Sequence, residues 1–265
     1  MSRYYRSFLE ESGASYTTRT TAFASATGIT DTTILGALNT FDLGLISNGL
    51  DTKMKALYPF VGGTATTHKF NFMDSRDLDV AYRLVFGGGG THSSMGYLPN
   101  GTNAYADTKI IDKDVMPRDS GCLLYYSNSV GAVTSTDYYD MGAYNPSSNL
   151  GMLINFNNNM YNAFHDGYTL TSNTQTHGLY SIQRISSTQK ESYKNGSRLA
   201  LINSNSVDNS VNINPILIGA TLIGSYFGNK RCAFSAISTQ SLSQSEHSTL
   251  YTLTQAFQTT LSRNV

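Results

Sequence analysis

Two hydrophobic periods divide the chain. Between residues 30 and 49 apolar side chains recur at three- and four-residue intervals: Ile34, Leu35, Leu38, Phe41, Leu45 and Ile46 fall on one face. Thr30 or Asp31 is placed to cap the first turn and Gly49 to break the last, so this stretch predicts an amphipathic helix. A shorter helical turn is expected over residues 51–57. It ends at Tyr58-Pro59, because the residue before a proline is pushed out of the α region. After Pro59 the period becomes two. Ala104 to Ile110, Cys122 to Tyr126, Tyr139 to Ala143, Leu150-Met152-Ile154-Phe156, Leu179 to Ile185, the surroundings of Tyr193, Ile216 to Ile218 and Cys232 to Ile237 read as short strands. A further strand is expected from Val80 to Phe86.

Turn chemistry separates these strands: Gly87 to Gly90, Pro99-Asn100-Gly101, Asn157-Asn158-Asn159, Asn195-Gly196 and the Asn/Ser-rich run from Asn203 to Asn214. Asn195-Gly196 supplies the positive φ angles of a two-residue hairpin turn. Short strands at this spacing predict an all-β sandwich or barrel. A final helix follows, opened by the capping box Ser243-Gln244-Ser245-Glu246, with Leu250, Leu253, Phe257 and Leu261 on one face. Residues 1–29 read as an arm with aromatic residues Tyr4, Tyr5 and Phe8 near its tip and an aperiodic Ser/Thr/Ala/Gly tract from Ser12 to Thr27. Such a segment has little to bury alone, so it is either disordered or ordered on a neighbouring subunit; the aromatic tip favours the second, with Tyr4, Tyr5 and Phe8 as attachment residues.

Composition fits this picture. Charged residues make up 14% of the 265 positions, well below the ~25% of an ordinary soluble domain, and Ser, Thr, Asn and Gly take their place. Eighteen basic and eighteen acidic side chains cancel without forming a basic face, which argues against a nucleic-acid partner. There is no run of about twenty apolar residues to span a membrane, and no apolar stretch of signal-peptide type follows the basic N-terminus. The chain is therefore expected to be made in a cytoplasm without export by a cleaved signal. Cys122 and Cys232 sit inside predicted strands and read as buried free thiols, with a disulfide left open. His68, His92, His165, His177 and His247 show no metal-ligand spacing. Gly87 to Gly90 lacks the lysine and helix of a phosphate-binding loop.

Three segments carry a family resemblance. Asn100-Gly101-Thr102-Asn103-Ala104-Tyr105-Ala106 looks like the strand that opens laminin-G-like domains. Tyr193-Lys194-Asn195-Gly196 resembles their aromatic-x-Asn-Gly hairpin. Ile218-Gly219-Ala220, Cys232 to Ile237 and Leu242-Ser243-Gln244-Ser245-Glu246 resemble their closing segment. Together these span about residues 60 to 265 and imply a concanavalin-A-like or laminin-G-like jelly roll of two antiparallel sheets over residues 59–265. An N-terminal arm and helical adaptor precede it over residues 1–58. Lys53 to Gly63 is also similar to a segment of tailed-bacteriophage virion proteins. These resemblances imply a virion fibre or decoration head that binds host surface glycans, attached to other virion proteins through the arm, as a homo-oligomer and as a trimer by analogy with phage appendages.

Glycosidases on this scaffold place two glutamates and an aspartate on one strand. The glutamates here, Glu10, Glu11, Glu191 and Glu246, cannot form that motif, so no enzymatic activity is expected. The remaining acidic clusters are Asp74 to Asp79 and Asp137 to Asp140, which read as turn and strand-surface charges; a sugar-facing rim is the alternative for the second. The resemblance also allows a Ca²⁺ at the rim near Asp137, Asp140 and Asp166. Tyr138, Tyr139, Tyr144, Tyr161 and Tyr168 crowd an Asn- and Ser-rich region. Aromatic faces stack on sugar C–H surfaces while amides bond hydroxyls, so these tyrosines with Asp140 are the candidate glycan site. A carbohydrate-active enzyme or its binding module, and a virion spacer without a ligand, are the alternative functions.

Overall fold

The computed structural model of the chain describes residues 15–129 and 138–265. Tyr4, Tyr5, Phe8 and Asp137 lie outside the described residues. Helix α1 (Thr18–Thr27) is capped by the Thr17 hydroxyl and stopped by Gly28 at φ 74°. Helix α2 (Thr32–Ser47) is capped by Asp31, whose carboxylate accepts from the N–H groups of Thr33 and Ile34. Two single-turn helices, α3 (Ala65–His68) and α4 (Asp112–Val115), sit in connections. Helix α5 (Gln244–Thr260) starts at the reciprocal Ser243–Glu246 capping box.

The strands form two large antiparallel sheets. The first has the order β13 (Ser197–Asn203), β12 (Gln189–Lys194), β11 (Gly178–Ser186), β6 (Gly121–Ser127), β17 (Cys232–Ser238), β4 (Gly96–Leu98) and β3 (Thr91–Ser93), with β1 (Met54–Tyr58) also paired to β17. The second runs β10 (Thr169–Ser172), β9 (Asn159–Asp166), β8 (Asn149–Phe156), β7 (Met141–Ala143), β14 (Pro215–Ile218), β5 (Tyr105–Ile111) and β2 (Val85–Gly87). A small hairpin, β15 (Ala220–Leu222) and β16 (Ser225–Phe227), follows β14. The fold is an all-β, two-sheet jelly-roll sandwich with helices at both ends of the chain.

Strand alternation creates two cores. Leu123, Tyr125, Ile182 and Ile237 of the first sheet meet Leu150, Met152, Ile154, Ile216 and Ile218 of the second. On the other face of the first sheet, Cys122, Leu124, Tyr126, Phe234 and Ala236 meet Phe23, Leu38, Phe41, Leu250 and Phe257 from α1, α2 and α5. Every residue of β6 and β17 is consequently buried. Phe41 joins the layers, its ring 5.5 Å from Phe234 and 5.6 Å from Phe257.

Polar contacts pin this packing. Asn195 and Gly196 take φ angles of 49° and 75° in the β12–β13 turn. Gly196 lies so close to α5 that a Cβ there would fall 2.9 Å from the Ser248 Cα. Gln244 Nε2 donates to its carbonyl at 2.6 Å. Between the sheets, Asp166 is buried and accepts from Arg184 Nη2 at 2.7 Å and Lys190 Nζ at 2.8 Å. Lys190 also donates to the Asn162 and Gly167 carbonyls, each at 2.9 Å, which satisfies an ammonium that would otherwise be costly to bury.

Several local expectations are corrected. Residues 54–58 form β1, not a helical turn: Ala56, Leu57 and Tyr58 pair with Ile237, Ala236 and Ser235, and sheet hydrogen bonds override helix propensity. The tract up to Thr27 contains α1, with Phe23 fully buried, so residues 18–58 share a core with the first sheet. Val80 to Phe86 is not one strand; a 3-10 turn over Asp79–Ala81 precedes β2, with Tyr82 at φ 59° breaking the extension. Phe156 leaves the alternation of β8, where the register with β9 shifts. Cys122 and Cys232 are buried free thiols.

Two predictions follow from the packing and its buried histidines. Phe41→Ala should lower unfolding free energy by about 3–5 kcal/mol in urea melts of the whole chain. A helical segment independent of the sandwich would leave the main transition unmoved. His68 and His247 are held neutral by burial, their pKa values lowered to about 3 and about 4. The unfolded chain therefore takes up protons that the folded chain refuses, so their contribution is intact above the unfolded value and is lost as pH falls below it. Stability should drop by about 2 kcal/mol per histidine between pH 7 and pH 5, and His247→Gln should remove its share of that slope.

Candidate functional site

Helices cover the first sheet, so the outer face of the second sheet is the one its own strands present. Because Leu150, Met152 and Ile154 of β8 point inward, Gly151 points outward. Gly151 is the cross-strand partner of Gly142 in β7, which leaves a bare patch without side chains. Tyr168 occupies it: a Cβ on Gly151 would fall 2.7 Å from the Tyr168 hydroxyl. A Cβ on Gly142 would fall 2.2 Å from the Leu150 carbonyl oxygen, so neither glycine can be replaced without movement.

From this floor a chain of aromatic rings crosses the face. Phe156 packs on Tyr161 at 5.4 Å, Tyr161 on Tyr168 at 6.4 Å, and Tyr168 on Tyr139 at 5.5 Å. Tyr139 then meets Tyr226 at 5.3 Å, and Tyr226 meets Tyr144 at 5.4 Å. The contacts are edge-to-face or tilted, which leaves ring faces and edges turned in several directions. Burial pushes the Tyr168 hydroxyl well above the ordinary tyrosine value, with Tyr139 adding to the effect, so it stays a neutral phenol. Tyr226 is 40% exposed and Ile223, at the tip of the same hairpin, 52%. Tyr226 holds φ 60°, a left-handed conformation unfavourable for a bulky side chain.

The hairpin that carries Tyr226 is fixed at its base. Gly219 N–H donates to the Asp140 carbonyl at 2.7 Å, Gly228 N–H to the Gly219 carbonyl at 2.7 Å, and Tyr144 N–H to the Thr221 carbonyl at 2.7 Å. Asn214 Nδ2 donates to the Tyr144 carbonyl at 2.9 Å. Two strands of the sheet and the hairpin thus hold Tyr139, Tyr144 and Tyr226 in one arrangement.

Of the six residues expected at a glycan site, the structure brings four together: Tyr139, Tyr144, Tyr161 and Tyr168. Tyr138 instead lies against the turn at Gly101, where an added Cβ would come 3.2 Å from its ring. Asp140 is fully buried, neither strand-surface nor rim. Its carboxylate accepts from Ile154 N–H at 2.6 Å and lies 3.4 Å from Lys230 Nζ. Burial raises its pKa, opposed by the Lys230 charge. Asp140 therefore braces the site from inside and cannot reach a sugar in solvent. Sequence reasoning misses Tyr226, which lies outside the tyrosine-rich stretch in the short segment Gly224-Ser225-Tyr226-Phe227-Gly228.

The other candidate carboxylates are engaged elsewhere. Asp74 pairs with Arg76 at 2.5 Å, Asp77 with Lys69 and Arg83, and Asp79 with Arg83 at 2.9 Å. Asp166 belongs to the buried cation pair described above. Among the described residues, no three His, Cys, Asp or Glu side chains converge as a metal-ligand set.

No protein-family model and no curated protein matches the chain. Solved structures do. Domain 4 of the GH43 extracellular arabinanase AbnA from Geobacillus stearothermophilus, solved in complex with arabinotriose, aligns with a TM-score of 0.54 at 13% identity, over 75% of this chain and 98% of that domain. The botulinum neurotoxin serotype D binding domain aligns at 0.54 and 10% identity, over 77% of this chain and 52% of that one. A Trypanosoma rangeli sialidase mutant displaying trans-sialidase activity aligns at 0.52 and 13% identity, over 84% of this chain and 39% of that one. The chain thus spans nearly all of the arabinanase domain but about half or less of the other two proteins. At these identities the likeness is one of fold.

The floor of the site is directly testable. Gly151→Val should displace the Tyr168 ring, costing about 1–3 kcal/mol in urea melts and altering the near-ultraviolet tyrosine dichroism. An unchanged spectrum would show that Tyr168 does not rest on that glycine.

Proposed function

We propose that this chain is a non-enzymatic structural and adhesion protein of a virion, a fibre or decoration head, that binds host surface glycans through the tyrosine face of its second sheet. The observation that carries the reading is the ring series Tyr161–Tyr168–Tyr139–Tyr226–Tyr144, anchored on the Gly142–Gly151 floor and including Tyr226, a part-exposed tyrosine in a strained conformation. Amphipathic rings suit sugars, whose C–H faces stack on them while their hydroxyls find polar neighbours. A rigid array avoids much of the ordering cost of binding. The similarity of this sandwich to an arabinanase domain solved with arabinotriose supports the same direction.

The virion assignment draws on the phage-like segment from Lys53 to Gly63 and on the aromatic N-terminal arm. In the structure the first of these runs through β1 and the loop after it, so the segment is part of the sandwich itself.

The binding reading is tested with Tyr226→Ala and Tyr144→Ala on immobilised host polysaccharides. Each should weaken retention by about tenfold, equivalent to about 1.4 kcal/mol, with the melting temperature little changed. Retention equal to the parent would remove the tyrosine face as the site. No retention by the parent on any host polysaccharide would favour a spacer without a ligand. Release of reducing sugar by the parent would favour a carbohydrate-active enzyme.

A further inference from the structure

Five strands border the two sheets among the described residues, and they are unequal. β3 and β2 have three residues each, β10 has four, and β1 has five, its open side taken by Asn71 and Phe72, which bond Leu57. Short edges of this kind offer little for another chain to pair with. β13 has seven residues, pairs with β12 on one side, and has no strand along its other side among the described residues. It lacks most of the devices that discourage pairing, although its register with β12 shifts between Arg198 and Ala200. It has no proline, no lysine and no inward charge, and its centre is the aliphatic run Leu199-Ala200-Leu201-Ile202. Leu201 is 46% exposed. The one charge, Arg198, is met within the same chain by Glu191 Oε1 at 2.8 Å.

We propose that β13 pairs antiparallel with β13 of a second copy, joining the two first sheets into one continuous sheet. A second copy is the occupant that the charges favour. The chain carries no net charge, and Arg198 already holds a carboxylate, so two identical edges approach without like-charge repulsion. Antiparallel pairing of identical strands is generated by a two-fold axis perpendicular to the sheet. That axis keeps each layer on its own side: both helical layers lie on one face of the dimer and both tyrosine faces on the other. If the tyrosine face binds glycans, as proposed above, the dimer presents two sites in the same direction and gains avidity on a polysaccharide surface.

The dimer is tested without any glycan, so its failure is distinct from that of the binding reading. Sedimentation equilibrium of the full chain should give twice the 28.9 kDa chain mass at tens of micromolar. Leu201→Lys, at an exposed position, should raise the dissociation constant at least about tenfold. Ala200→Pro, checked for folding by circular dichroism, should act likewise, and deletion of residues 1–14 should leave the dimer intact. A monomeric parent overturns the proposal. So does a parent oligomer that both β13 variants leave unchanged, or one that the N-terminal deletion alone dissolves.

Discussion

The central strands of the first sheet are buried on both faces, and the rest of the molecule is arranged around that constraint. β6 and β17 expose none of their side chains to solvent, so two different layers must cover them. Inward residues such as Leu123 and Ile237 require the second sheet. Outward residues such as Leu124 and Phe234 require α1, α2 and α5. A sheet that is apolar on both faces cannot stand as half of a simple sandwich; without the helices its outer surface would be a large hydrophobic patch. The helices flanking the β domain in sequence are thus part of one three-layer body.

This asymmetry decides where a ligand face can be. The helical layer occupies one side, leaving the outer face of the second sheet available on the other. There the strands present glycines at 142 and 151 where an ordinary sheet would carry side chains, and tyrosines lie across the gap. The buried Asp140 supports the face from beneath, its backbone carbonyl holding the base of the Tyr226 hairpin and its side chain held by Ile154 and Lys230. Structure and proposed function are linked through that arrangement: strand register fixes the glycine floor, the floor seats Tyr168, and Tyr168 orders the rings on either side.

The parts of this architecture legible in sequence are those that local chemistry specifies. Asn195-Gly196 fixes its own turn, Ser243 and Glu246 cap their own helix, and the alternation at Leu150, Met152 and Ile154 records a face buried against a partner sheet. What sequence missed depends on distant partners. Met54 to Tyr58 has the composition of a helix but is drawn into a sheet by β17, about 180 residues later. Helix α1 has too weak a periodic signal to stand out, and its position is set by Phe23 against Phe72. The candidate site divides the same way. The crowd of tyrosines between 138 and 168 was visible as composition, while Tyr226 enters only through the folded hairpin. Asp140 looked like a surface acid because its partner, Lys230, lies 90 residues away.

The most direct measurement of the account is isotope-filtered nuclear Overhauser spectroscopy, with tyrosine rings labelled, on the protein bound to a host oligosaccharide. Contacts from sugar protons to the rings of Tyr144 and Tyr226 are the predicted result. Sugar contacts confined to residues on the helical side, with none to these rings, would contradict it.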